Sequence, residues 1–346
     1  MKRLSWRKKV AYTFVALAIC GVCAEIALRI IRPESIAFIR NWLTLYGPNE
    51  HHEWEMEPNR RVDFDLTVPA SPRTIHFSLA TDQRRLRVST KADATTTTRA
   101  GQVEGKPTIV HCIGDSYTLG WGVEFEESYP ALLSELLGPS HQVINVGMAH
   151  IGLIQAIERS QRISGEFPPD VIVYLFDSTD CQDDERSAEA RRGISQVMPP
   201  LMQSACRNSY LCALPLAVWM RRQFAGAEVV DPDILPRQFD ADSIGLAEQT
   251  LISLSKHAER KSRPTFEALA ALHKKCSEKN TRLIVVIHEF DFSGVPELIH
   301  VLSEHNIEMT TILIGRDGLL PDWHFNEEGN RLVAEAVKNK LFAERR

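Results

Sequence analysis

"TIVHCIGDSYTLGWGV" (residues 108–123) decides the fold. Thr108 to Ile113 is a short, apolar, β-branched run that stops at Gly114-Asp115-Ser116. A strand ending in a polar turn would present Ser116 at its tip. Outward from it the same alternation repeats. "SYPALLSELL" (128–137) and "GLIQAIERSQRIS" (152–164) have helical apolar spacing, while "QVINVG" (142–147) and "DVIVYLF" (170–176) read as strands. Later, "TFEALAALHKKCSEKN" (265–280) is a helix and "RLIVVIHEF" (282–290) a strand; "VPELIHVLSEHN" and "IEMTTILI" repeat the alternation, and "NEEGNRLVAEAVKNKLFAE" (326–344) closes as a helix. Strands apolar nearly throughout, alternating with amphipathic helices, predict a three-layer α/β/α sandwich with a mainly parallel sheet. In such sheets the reactive site lies beyond the C-terminal strand ends, where Ser116 falls.

The 346 residues leave room for one large domain with extensions. Composition is globular, with 44% hydrophobic and 25% charged residues. A net charge of -5 and no basic stripe argue against nucleic-acid binding. Residues 1–9 carry Lys2, Arg3, Arg7, Lys8 and Lys9 with no acid, and Val10–Ile31 is long enough for one membrane crossing. Basic charge before the span predicts a cytoplasmic N-terminus, a single-pass inner-membrane anchor and a periplasmic or extracytoplasmic main domain. Glu25 and Arg29 near its far end are spaced to pair at i,i+4. Cys23-Ala24-Glu25 is a poor signal-peptide cleavage site.

Residues 32–105 read as a membrane-proximal extension with short strands, such as Val62 to Leu66, and a mobile polar loop over 89–106. Residues 106–346 form the main domain, with a helical insertion at about 186–262. The apolar "SYLCALPLAVWMRRQ" (209–223) in that insertion is open to three readings: a helix on the main sheet, a lid, or a second membrane contact. Cys206 and Cys212 are near enough in sequence for a disulfide, which spacing alone does not establish. No Cys/His cluster has zinc spacing, so no metal and no cofactor are expected. His51, His52, Glu53 and Glu55 read as exposed loop residues. The acids Asp177, Asp180, Asp183, Asp184 and Glu185 read as solvated loop and helix-start residues rather than metal ligands. His288 and Glu289 follow a strand and could line the same mouth as Ser116.

A serine nucleophile needs a base and an orienting acid. "LLPDWHFNEEGNRLVAEAV" supplies Asp322 and His324, two apart, just before the last helix. Gly114-Asp115-Ser116 with Asp322-Trp323-His324 resembles the SGNH/GDSL hydrolase superfamily, and the N-terminal anchor resembles that of its membrane-anchored bacterial members. The resemblance implies a flavodoxin-like sandwich and a Ser116–His324–Asp322 triad. It also implies oxyanion donors from the Ser116 N–H, the position held by His150 in "INVGMAHIG", and the position held by Thr179 in "YLFDSTDCQDD". The family usually has glycine at the position of His150, and glycine and asparagine at those of Asp177 and Thr179. The implied function is a serine esterase acting on acyl esters, O-acetyl above all, on a cell-envelope carbohydrate. An acyltransferase acting on an extracytoplasmic polysaccharide, and a weak or inactive glycan-binding member of the fold, remain as alternatives.

Overall fold

The computed structural model describes residues 5–47, 54–67, 74–91, 106–191, 199–224, 263–288 and 295–343. Helix α1 (Trp6–Ile31) has no buried residue and is long and apolar enough to cross a membrane. It stops at Arg32, in the left-handed region with φ 46°, and Pro33. Helix α2 (Glu34–Leu45) follows directly. Here the structure adds what the strand-based reading of the extension missed. Pro33 and Glu34 suit a helix start, and Ile36, Ile39 and Leu43 are buried at helical spacing.

The rest of the extension is β structure. Strands β1 (Tyr46–Gly47) and β2 (Glu55–Met56) pair antiparallel. Strands β3 (Arg61–Thr67), β4 (Thr74–Thr81) and β5 (Arg87–Val88) form an antiparallel sheet. Along β3, Val62 and Phe64 are buried while Arg61, Asp63 and Asp65 are exposed, as the alternation predicts. His51, His52, Glu53 and most of the 89–106 loop lie outside the described residues.

The main sheet joins β6 (Thr108–Ile113), β7 (His141–Asn145), β8 (Val171–Phe176), β9 (Arg282–His288) and β10 (Glu308–Ile312). All are parallel, in the order β10-β9-β8-β6-β7. The helices are α3 (Ser116–Leu119), α4 (Tyr129–Leu137), α5 (Leu153–Ile163), α6 (Thr179–Arg191), α7 (Pro200–Asn208), α8 (Tyr210–Phe224), α9 (Pro264–Glu278), α10 (Val295–Glu304) and α11 (Glu327–Phe342). Successive strand side chains enter opposite cores. Ile109, Ile113, Tyr174 and Val285 join one with α5, α9 and α10; Val110, Cys112, Val173 and Ile284 join the other with α4 and α11. This is the three-layer α/β/α sandwich.

The extension is part of this body. Phe64, Phe77, Leu79 and Leu86 share one apolar core with the sheet and α5. Within it, Glu55 is an ion-paired buried acid, contrary to the exposed-loop reading of that residue: it holds Arg159 and Arg162 of α5. Helices α7 and α8, in the described part of the insertion, pack on α2 and not on the main sheet. Cys206, Tyr210, Ala213 and Ala217 of α7 and α8 pack against Ile36, Ile39 and Leu43 of α2. Residues 192–198 and 225–262 of it lie outside the described residues. Cys206 and Cys212 are free thiols, not a disulfide; the Cys206 Sγ donates to the carbonyl of Cys212 at 3.3 Å.

Two stability predictions follow from buried charge. Glu55→Ala strands the Arg159 guanidinium, which is 2% exposed, and should cost about 3–5 kcal/mol in denaturant unfolding; an unchanged midpoint would refute the pairing. His111, in mid-β6, is fully buried, with Nδ1 2.8 Å from Ser160 Oγ, and desolvation pulls its pKa down to about 4. Its folded value lies below the unfolded one, so the unfolded chain binds more protons between about pH 6.5 and 4. Stability contributed by the neutral ring is therefore lost as pH falls through that window. Melting curves of His111→Leu should show a shallower acid slope, by up to about 1.4 kcal/mol per pH unit.

Candidate active site

The site forms where the strand order reverses, between β6 and β8, the usual ligand crevice of an open parallel sheet. β6 leaves the sheet through Gly114, with φ +150°. A Cβ here would meet Thr118 Oγ1 at 2.4 Å and the Leu175 carbonyl at 3.0 Å, so only glycine fits. Asp115 then caps α3, its Oδ1 accepting the Tyr117 N–H at 2.9 Å. Ser116 is the first helical residue. The other end of α3 is held by Arg87 of β5. This wholly buried guanidinium donates to the carbonyls of Leu119 (2.5 Å), Gly120 (2.6 Å) and Val123 (2.6 Å). Desolvation lowers its pKa to about 10, leaving it cationic at neutral pH.

Asp322 and His324 come from a tight loop closed by a Leu319–Phe325 bridge. The Leu320 N–H donates to the His324 carbonyl at 2.7 Å, and Trp323 takes φ +71°. That turn points Asp322 and His324 the same way. His324 Nδ1 lies 3.1 Å from Asp322 Oδ2, and Nε2 lies 2.9 Å from Ser116 Oγ. Asn326 caps α11 through the Gly329 N–H and fixes where the loop ends. Asn330 ties this helix to α4 by accepting the Tyr129 N–H at 2.9 Å.

With its proton on Nδ1, held by Asp322, the imidazole leaves Nε2 to accept the Ser116 hydroxyl proton. Tyr117 braces the pair. Its ring centroid is 5.0 Å from that of His324, and its hydroxyl donates to the Trp323 carbonyl at 3.2 Å.

The loop carrying His150 is bound to the Ser116 turn: the Met148 N–H donates to the Gly114 carbonyl at 3.3 Å. His150 itself takes φ +59°, the conformation a glycine would adopt freely, with its ring edge-on to Trp42 at 5.3 Å. Thr179 begins α6 and is exposed. Its hydroxyl donates to Asp177 Oδ1 at 2.5 Å, and its N–H donates to the same oxygen at 2.8 Å.

The acid run is not uniformly solvated. Asp115, Asp180, Asp183 and Asp184 are buried. Burial, and then the charge of Asp177, push Asp115 well above the usual carboxylate range; burial, and then the charges of Asp115 and Asp177, do the same to Asp180. Asp180 accepts the Tyr174 hydroxyl at 2.6 Å, and Asp184 the Thr265 hydroxyl at 2.6 Å. Among the described residues no group of three or more His, Cys, Asp or Glu is placed to hold a metal. His288 lies beneath the site, Nε2 3.4 Å from Asp177 Oδ2 and ring centroid 4.4 Å from Tyr117. Desolvation lowers it to about 4 despite Asp177, so it is neutral near pH 7. Glu289 lies outside the described residues.

Two contributions were absent from the sequence reading. Arg87 sits in "RRLRV", where nothing local distinguishes it from its half-buried neighbours Arg84 and Arg85. The aromatic wall of Phe38, Trp42, Phe64, Phe77 and Trp121 joins four extension residues to one that follows α3. Trp121 in that wall is 6.5 Å from the His324 ring.

No family model matches the chain, and no curated protein matches it. Among solved structures it is similar to a protein assigned to the lipolytic G-D-S-L family from Desulfitobacterium hafniense DCB-2. Identity there is 15%, over 67% of this chain and 99% of that one, with a TM-score of 0.36. It is also similar to TesA, at 12% identity over 68% of this chain and 98% of that one, with a TM-score of 0.38.

Proposed function

We propose that the chain is a serine esterase, anchored by α1 and acting outside the cytoplasmic membrane. The observation that carries this reading is the alignment of Ser116 Oγ, His324 and Asp322, at 2.9 and 3.1 Å. Ser116 Oγ attacks the ester carbonyl as its proton passes to His324 Nε2. Asp322 keeps the imidazole in the required tautomer and stabilises the imidazolium. The alcohol leaves with that proton. Water then attacks the acyl-serine, giving its proton to His324, and the acid and the free hydroxyl of Ser116 are released. O-acetyl or other small acyl esters on a cell-envelope glycan are the substrates implied by the family resemblance and by an extracytoplasmic site.

The oxyanion would be met by the backbone N–H groups of Ser116 and His150. Thr179 has the shorter reach of a hydroxyl, and its proton is directed to Asp177. A two-donor hole costs about 2.7–4 kcal/mol of transition-state stabilisation relative to a three-donor one. Turnover should therefore be slow.

Hydrolysis of p-nitrophenyl acetate and of an O-acetylated glycan by the full chain tests the reading. Ser116→Ala and His324→Ala should each lower kcat/KM at least about 10³-fold. Equal hydrolysis by wild type and Ser116→Ala on both substrates would sink it, and acetyl transfer to added glycan in excess of hydrolysis would reassign the chain as a transferase. The double variant Asp177→Gly/Thr179→Asn removes the competing carboxylate and supplies an amide donor. It should raise kcat by up to about 10²-fold with little change in KM; no gain would mean that the hole is already complete.

A further inference from the structure

Glu25 lies in α1, six residues before Ile31, about 9 Å of helix. Its carboxylate pairs with Arg29 at 2.8 Å and also accepts the Ser209 hydroxyl (2.8 Å) and the N–H groups of Tyr210 (3.2 Å) and Leu211 (2.9 Å). Arg29 in turn donates to the Asn208 carbonyl at 2.9 Å. The start of α8 is thus fastened to a defined level of α1. A hydrocarbon core of about 30 Å needs about 20 residues. With Arg7, Lys8 and Lys9 at the cytoplasmic edge, the crossing reaches its other edge near Arg29. Glu25 and its partners in α8 therefore sit at the outer boundary of the bilayer.

The side chains of α7 and α8 agree with that depth. Their inner face, with Tyr210, Ala213 and Ala217, is packed on α2. Their outer face presents Leu201 (86% exposed), Met202 (53%), Leu211 (39%), Leu214 (37%) and Val218 (44%). Among the described residues outside α1, only two other large apolar side chains, Leu136 and Phe342, are as open. Leu211, Leu214 and Val218 recur at i, i+3 and i+7, one stripe of a helix. An apolar stripe on a helix fixed at the membrane boundary is the signature of an interfacial helix.

We infer that α7 and α8 lie in the outer face of the phospholipid bilayer beside α1, with the Leu211–Leu214–Val218 stripe among the acyl chains. The inference rests on the reading of α1 as a membrane span. Glu25 then has a second role. An acid at that depth is expensive unless paired, and Ser209 with the first two residues of α8 supplies three of its donors. The body is held to the membrane by two elements, so the site cannot swing freely about the Arg32–Pro33 elbow.

Full-length protein in phosphatidylcholine/phosphatidylglycerol nanodiscs tests this. In a Cys20→Ser, Cys23→Ser, Cys212→Ser background, single nitroxides are attached at Leu214→Cys, Val218→Cys, Ile19→Cys and Glu135→Cys. Power saturation then compares relaxation by oxygen with that by a water-soluble nickel chelate. The expected result is oxygen dominance at positions 19, 214 and 218 and nickel dominance at 135. Oxygen dominance at 19 with nickel dominance at 214 and 218 would overturn the inference and leave the span intact. Both reagents excluded at 214 and 218 would mean that protein covers the face, which also overturns it. Nickel dominance at 19 would remove the span, and the inference with it.

Discussion

The candidate site depends on a cation that water does not reach. Arg87 belongs to the small antiparallel sheet of the extension, yet its guanidinium ends on three carbonyls at and just beyond the far end of the Ser116 helix. Those carbonyls lie at and just beyond the end of a short helix, where intrahelical donors run out, and the charges of Glu124, Glu126 and Glu127 help to keep Arg87 cationic. The carbonyls take its two terminal nitrogens, while its buried Nε has no hydrogen-bond partner. A four-residue helix has too few internal hydrogen bonds to hold a serine in place alone. The main sheet fixes where its first residue starts, and the extension fixes where its last residue ends.

This explains why the extension is not a detachable spacer. Its aromatic side chains complete the wall in which Trp121 stands, and Trp42 braces His150 in a backbone conformation costly for a residue with a Cβ. Glu55 adds a third tie, through α5. A cap, a brace and an ion pair, each from a different element, all meet the α/β body on the side that holds the nucleophile turn.

Much of this was legible in the sequence because the main sheet is buried on both faces. Its strands are therefore apolar almost without break, and the helices between them show their periodicity clearly. Ser116, Asp322 and His324 were legible because a strand-end serine and a two-apart acid and histidine each depend on local turn chemistry. The remainder depends on distant partners. Arg87 looks like any surface arginine until the turn it serves is folded against it. Helix α2 was obscured by the prolines and alternating stretches that follow it. Asp180 looks like a solvated acid, and only the fold buries it against the Tyr174 hydroxyl of β8 as a raised carboxyl. The reach of Thr179 toward Asp177 is likewise a matter of rotamer, which residue spacing does not encode.

The bond between Ser116 and His324 joins residues 208 apart in the chain. During synthesis the nucleophile turn, its glycine and the Arg87 clamp are all made long before the base. The loop bearing His324 leads into α11, which Asn330 ties to α4. Until that loop is in place, Ser116 Oγ lacks its hydrogen bond to His324. Closing so long a loop is entropically costly, so the contact rests on the docking of the whole α/β body and not on local turn chemistry alone.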